Sequence, residues 1–195
     1  MSLKTLFFLI WRIGSFPIIL GFILFQTGCS PSDNHENKVE QVIIRDNQGF
    51  PVEIYSLKDS VLHGVRILFF PNTKDTAVFE THQNGKFNGL YKSYFPNNKV
   101  KLSGQYVDDK MTGTWHKFDE SGALLEEVTF LENQENGPFK EFYPSGKIRV
   151  SGNYKNGNTE DGPLYFYAEN GKLIKKMYCS GGICRTQWKE TNPLQ

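Results

Sequence analysis

The sequence predicts an all-β protein, an elongated antiparallel meander of stacked β-hairpins, and three observations carry that expectation. First, a phrase led by glycine returns at intervals of 24 or 25 residues, starting at Gly64, Gly89, Gly113, Gly137 and Gly162. The copies read GVRILFFPNTK, GLYKSYFPNNK, GTWHKFDESGA, GPFKEFYPSGK and GPLYFYAENGK, and self-similarity at such a period marks a stacked repeat architecture. Second, every phrase sets an aromatic five residues after its glycine (Phe69, Tyr94, Phe118, Phe142, Tyr167) and a turn former nine after it (Thr73, Asn98, Gly122, Gly146, Gly171). Third, the runs on either side of that turn are short and rich in aromatic and β-branched residues, which suits strands and leaves no room for a helix.

Taken from the start, residues 1–28 read as an export leader. Lys4 and Arg12 give the positive region, IGSFPIILGFILF the apolar region, and Gln26-Thr27-Gly28-Cys29 follows where cleavage is expected. The small pair before Cys29 resembles the lipobox of bacterial lipoproteins, with Gln26 standing where Leu is usual. That resemblance implies a lipoprotein signal peptide and makes Cys29 the lipidated N-terminal residue of the mature chain. The alternative is an uncleaved anchor helix from Leu6 to Phe25. Against it, Arg12 at mid-span costs about 2.5–3.5 kcal/mol at a bilayer centre.

Residues 29–38 comprise the lipidated Cys and a flexible tether, since SPSDNHENK holds no apolar residue to offset the entropy of ordering it. Residues 39–63 are expected to be a degenerate repeat or N-terminal cap, a hairpin of VEQVIIRD and FPVEIYSL joined across Asn47-Gln48-Gly49. The array proper is placed at residues 64–178. Each unit pairs two strands across a four-residue turn, and DDKMTG, ENQENG and NGNTEDG hand over to the next glycine. Residues 179–195 are expected to be a disulfide cap and a polar tail.

Side chains alternate along a strand, so the aromatics two residues after the glycine (Tyr91, Trp115, Phe139) and those five after it lie on opposite faces. One face is the stacking core and the other a partly exposed ladder. Tyr91, Trp115 and Phe139 are the candidate binding face, the competing reading being that they hold the repeats together.

The phrase G-x-aromatic-x-x-(Tyr/Phe)-x-x-x-G-Lys, followed by an apolar run, S-G-x-Y and N-G, resembles the variant MORN repeat of bacteria. GPFKEFYPSGKIRVSGNYKNGNTEDG shows it most fully. The resemblance spans residues 64–178 and implies stacked hairpins of the MORN type. Similar bacterial proteins are labelled antitoxin-like, and eukaryotic relatives resemble scaffolds that hold proteins near membranes. The first copy departs from the pattern, with Arg66 in the aromatic column and Thr73 in place of glycine.

Little in the chain points to catalysis, to a metal or to a cofactor. His35, His63, His82 and His116 form no metal-binding spacing. Ser121 and Ser145 precede turn glycines and shape turns. Glu126 and Glu127 are neighbours on a strand and so point to opposite faces, while Asp108 and Asp109 are read as solvated turn residues. Cys179 and Cys184 are most simply a disulfide in an oxidising compartment. A redox pair and an incomplete zinc site are the alternatives. Removing Lys4 and Arg12 from the 22 basic residues leaves 20 against 21 acidic ones, a balance that argues against nucleic acid as the partner.

These readings converge on an exported lipoprotein, not an enzyme, anchored by its N-terminal lipid at the periplasmic face or cell surface, with the outer membrane the expected site. Its repeats are expected to bind or scaffold a protein or envelope polymer. An immunity or antitoxin-like protein that binds a toxin is the alternative. A remote third reading is an envelope glycan hydrolase, which needs two carboxyl groups roughly 5–9.5 Å apart.

Overall fold

The computed structural model describes residues 38–191, and within them the chain is all-β, without a helix. Its strands are β1 (Val39–Arg45), β2 (Pro51–Lys58), β3 (Val61–Phe69), β4 (Thr76–Gln83), β5 (Lys86–Tyr94), β6 (Val100–Val107) and β7 (Lys110–Phe118). They continue as β8 (Leu124–Leu131), β9 (Gln134–Phe142), β10 (Ile148–Lys155), β11 (Thr159–Glu160), β12 (Gly162–Tyr167), β13 (Leu173–Ser180) and β14 (Ile183–Lys189). All belong to one open antiparallel sheet in which each strand pairs with its sequence neighbours. The short β11 lies off that path, on β10 beside β12. The expected N-terminal hairpin is β1 and β2, paired from Val39↔Lys58 to Arg45↔Pro51.

Two kinds of turn alternate, and local chemistry selects each. Within a unit the loop opens and closes on one residue pair. Phe95 N–H donates to Lys99 O, Asn98 N–H donates to Phe95 O, and Asn98 is left-handed (φ 62°). Asp119/Gly122, Tyr143/Gly146 and Ala168/Gly171 repeat this three-residue loop, a type I turn closed by a left-handed residue. Asp119 adds a carboxylate that accepts from Ser121 Oγ, Ser121 N–H and Ala123 N–H, bonds that lower its pKa.

Between the earlier units the loop is two residues long and both are left-handed, Asp59-Ser60, Asn84-Gly85, Asp108-Asp109 and Glu132-Asn133, while after β10 it has three, Asn156-Gly157-Asn158, also left-handed. The two-residue loop is the type I′ turn, whose twist matches that of paired strands. These turns also bond to one another's strands. Asp109 N–H donates to Phe87 O while its carboxylate accepts from Phe87 N–H, and Asn133 does the same with Met111. Asp109 is therefore a structural link between units and not merely a solvated turn residue.

The repeat glycine marks a bulge. From Glu80↔Tyr91 to His82↔Phe87, three residues of β5 oppose the single Thr81 of β4. Asn136–Pro138 oppose Thr129 in the same way. Gly89 (φ 106°) and Gly137 (φ 119°) hold the conformation that makes this bend, one that side chains with a Cβ rarely adopt. The opposing threonine compensates the broken ladder, Thr81 Oγ1 donating to Leu90 O and Thr129 Oγ1 to Pro138 O. Pro138 suits a bulge because it needs no N–H partner there.

Alternation then builds two unlike faces. On the inner face, row by row, lie Tyr91, Leu102, Trp115, Val128, Phe139, Val150 and Leu164, all buried. Burying such side chains contributes roughly 1.5–3 kcal/mol each. A second inner row follows the register His82↔Phe87, Tyr106↔Met111, Phe130↔Glu135, Tyr154↔Glu160 and Cys179↔Cys184. The outer face carries one row through every unit, from Ile43↔Ile54↔Ile67↔Phe79↔Lys92↔Ser103↔His116 through Glu127↔Lys140↔Ser151↔Tyr165 to Lys176↔Trp188.

Candidate binding surface

The three rings expected to offer a contact face are in the core. Tyr91 is 6%, Trp115 0% and Phe139 4% exposed. The correction has a specific cause, for the glycine of the S-G-x-Y motif lets a ring lie flat on the neighbouring backbone. A Cβ added to Gly104 would fall 2.1 Å from Trp115, and one on Gly152 would fall 2.8 Å from Phe139. Around that contact the rings interlock, Tyr106 edge-on to Trp115 at 5.1 Å and Phe139 stacked on Tyr154 at 4.1 Å. Burial, followed by the Glu80 carboxylate, pushes the Tyr91 hydroxyl up to about 12. The competing reading, that these rings hold repeats together, describes their geometry.

Arg66 stands where later units have a ring, and the inner face adapts with a polar cluster that the sequence analysis missed. Its guanidinium donates to Glu53 at 2.6 Å and to Glu80 at 2.8 Å, and His82 Nε2 lies 3.0 Å from the same Glu80 oxygen. Glu80 and His82 are 4% and 6% exposed, so each needs the other's polar company to be buried at tolerable cost. A cation in an apolar column, with one acid directly opposite and another on the diagonal of the next strand, was the available signal. His82 reaches this place because the first unit's loop is one residue longer: Phe70 N–H bonds Asp75 O, whereas Phe95 N–H bonds Lys99 O.

Glu126 and Glu127 do point apart, as expected. Glu126 faces inward to Lys117 at 3.2 Å, while Glu127 faces outward between Lys140 at 3.2 Å and His116 at 3.6 Å. On the inner face Glu126 is directly opposite Glu141, but each carboxylate has a cation of its own, Lys117 and Arg149. Burial raises the pKa of Glu126, and Lys117 opposes that rise. Among the described residues no three His, Cys, Asp or Glu side chains are grouped to hold a metal ion. His35 and Cys29 lie outside the described residues.

Cys179 and Cys184 form a disulfide. They occupy the register position that holds Tyr106↔Met111 and Phe130↔Glu135 in earlier units, so a covalent pair takes the place of a packed one at the end of the column. Trp188, read from sequence as the start of a tail, instead belongs to β14. It is the counterpart of Trp115, four residues after the column partner in each case, yet it is 46% exposed and paired with Lys176 on the outer face. Met177 stands where Gly104 stands for Trp115, and one extra β14 residue, Gln187, lies at the shift there where β7 has three opposite Gly104.

What remains available for contact is the outer face. Its first third is apolar, with Val39, Ile43, Val52, Val61, Val65 and Leu90 between 37% and 50% exposed. Beyond β5 its row turns polar with Ser103, His116, Glu127, Lys140 and Ser151. Apolar side chains exposed together on one sheet face are a candidate contact surface.

Two comparisons bear on this geometry. The sequence model of the MORN repeat variant matches residues 87–108, 135–156 and 160–178, in each case one hairpin unit with its inter-unit turn or closing strand. The unit between the first two matches, in which Val128 stands where Gly104 and Gly152 stand in its neighbours, lies outside them. No curated protein sequence matches the chain.

Proposed function

We propose that this chain is an exported, membrane-anchored lipoprotein whose MORN-type repeats act as a non-catalytic binding or scaffolding module in the cell envelope. The observation that carries the reading is the outer face of the described sheet, on which one row of side chains runs in register from Ile43 to Trp188. A solenoid presents such a row as a long contact surface, since each unit adds one side chain at a fixed step. The leader ending at Cys29 supports the anchor, and the Cys179–Cys184 disulfide suits an oxidising compartment outside the cytoplasm. In this reading the lipid fixes one end, residues 30–38 give reach, and the outer face holds a protein or envelope polymer. The contact residues then belong to that face, Lys92, His116 and Lys140 among them, and not to the buried column of Tyr91, Trp115 and Phe139.

The test is capture from native envelopes with the full chain and with a triple variant Lys92→Ala, His116→Ala, Lys140→Ala, both checked for unchanged circular dichroism. A client held by the first and lost from the second supports the reading. Equal capture, or none by either, removes the outer row as the site. Palmitate labelling that Cys29→Ser abolishes tests the anchor separately. If the captured client is a toxin encoded beside this chain, the immunity reading replaces general scaffolding. Hydrolysis of envelope glycan that disappears on Glu126→Gln would replace both.

A further inference from the structure

We propose that β1 is the seam of a homodimer, pairing antiparallel with β1 of a second copy so that two sheets continue as one. Among the described residues β1 is the first strand of the sheet and has a neighbour on one side only, β2. Asp46 N–H is turned to Phe50 O on the β2 side, so alternation turns the N–H groups of Val39, Gln41, Ile43 and Arg45 outward. A row of unpaired donors and acceptors is a template for another strand. The side chains add to it: Val39 is 50%, Ile43 47% and Ile44 42% exposed.

The two ends of the sheet differ in how they are defended. β14 carries Arg185 and Lys189, breaks its own ladder between Lys176 and Met177 and is tied by the disulfide. β1 carries its charges only towards the ends, at Glu40 and Arg45, and its ladder shifts only at the Ile44/Arg45 end. Its register with β2 runs unbroken from Val39 to Ile44, and its centre, Val42-Ile43-Ile44, holds neither charge nor proline nor glycine. An exposed edge of that composition is a template for another strand.

Symmetry selects a second β1 over β14 as the occupant. The hydrogen-bonded path from β1 to β14 contains thirteen strands, an odd number, so the two edges run in the same direction. Joining copies head to tail with inner faces on one side would need a parallel pair and would continue without end. A two-fold axis beside β1, perpendicular to the sheet, gives an antiparallel pair and closes after two copies. Such an axis keeps inner face beside inner face, so even-numbered residues meet even and odd meet odd.

Charge then fixes the register. With Val42 opposite Val42, Gln41 meets Ile43, Glu40 meets Ile44, and Lys38 meets Asp46 once at each end. Sliding one step with Ile43 opposite itself sets Glu40 against Asp46, a like-charge pair that opposes the register. Sliding the other way sets Ile44 against Lys38 and separates the apolar centres.

The experiment uses the full chain in detergent with Val42→Cys, mild oxidation and a non-reducing gel. The wild-type chain, which holds the same Cys29, sets the background. A Val42 pair lies across from itself at about 4.5–5.5 Å between Cα atoms, within disulfide reach. The expected result is a covalent dimer in at least half of the Val42→Cys chain. Gln41→Cys and Ile43→Cys are expected to stay at background alone and to cross-link when mixed. Ile43→Pro removes an outward N–H without touching the β1–β2 ladder, so it is expected to halve the mass in light scattering and leave circular dichroism unchanged. Background-level cross-linking of Val42→Cys overturns the proposal, as does a dimer that survives Ile43→Pro or that cross-links through Ile183→Cys on β14.

Discussion

The indole of Trp115 rests on the α-carbon of Gly104, so closely that a methyl group on Gly104 would fall 2.1 Å from the ring. Neither residue has room to change alone. Gly104→Ala is expected to cost about 1–3 kcal/mol through overpacking, and Trp115→Ala about 3–5 kcal/mol through the cavity it leaves. In the Trp115→Ala background the added methyl enters that cavity, so the double variant is expected to be no less stable than Trp115→Ala. Urea denaturation of the four proteins gives the coupling directly. Strict additivity would show that the ring does not lie on this glycine.

The same interlocked rings predict behaviour at high pH. Burial holds the Tyr91 hydroxyl protonated up to about 12, and burial also raises Tyr106 and Tyr154. An unfolded tyrosine ionises near 10, so the folded state binds the proton more tightly. The resulting stabilisation is fully present below pH 10 and is lost as pH rises through the folded values. Thermal unfolding midpoints are therefore expected to fall steeply above pH 10. Tyr91→Phe, Tyr106→Phe and Tyr154→Phe together should flatten that decline, and an identical slope in the triple variant would count against the assignment.

Much of this fold is legible in the sequence because backbone requirements leave residue signatures. Gly89 and Gly137 recur since the bulge needs a positive φ, and Asn98, Gly122 and Gly146 recur since the loop closes on a left-handed residue. The disulfide is legible too, as Cys179 and Cys184 keep the same separation as Tyr106 and Met111. Which face is buried was not legible. Period-two alternation separates Trp115 from His116 without saying which is inside, and both faces carry rings. What settles it is the pairing of Trp115 with Gly104, a contact between units. The cluster of Arg66 with Glu53 and Glu80 was hidden for a related reason, because acids 13 and 14 residues away come within reach only once β2, β3 and β4 are paired.

At the Glu132-Asn133 turn the chain uses a residue poorly matched to its place. Glu132 is left-handed at φ 50°, a conformation costly for most L-residues and tolerated by Asn. Its exposed bond to Lys110 at 3.0 Å returns only a few tenths of a kcal/mol. Glu132→Asn is thus expected to stabilise the protein by about 0.5 kcal/mol. Chemical denaturation at moderate salt is the check, and a loss of stability would mean the ion pair outweighs the turn.

Reducing the Cys179–Cys184 disulfide should have a local effect. The bond closes a very short loop, for which the chain-entropy relation gives about 2 kcal/mol, and it lies at one end of a sheet whose units contact mainly their neighbours. Such arrays lose terminal units before central ones. Hydrogen exchange of the reduced chain is expected to accelerate in β13 and β14 while amides of β5 to β10 keep their protection. Because the two cysteines take the place of a packed pair, Cys179→Tyr with Cys184→Met restores the pairing of Tyr106 with Met111. That variant should recover part of the lost protection without a covalent bond. Uniform acceleration across all strands on reduction would instead make the bond a determinant of the whole array.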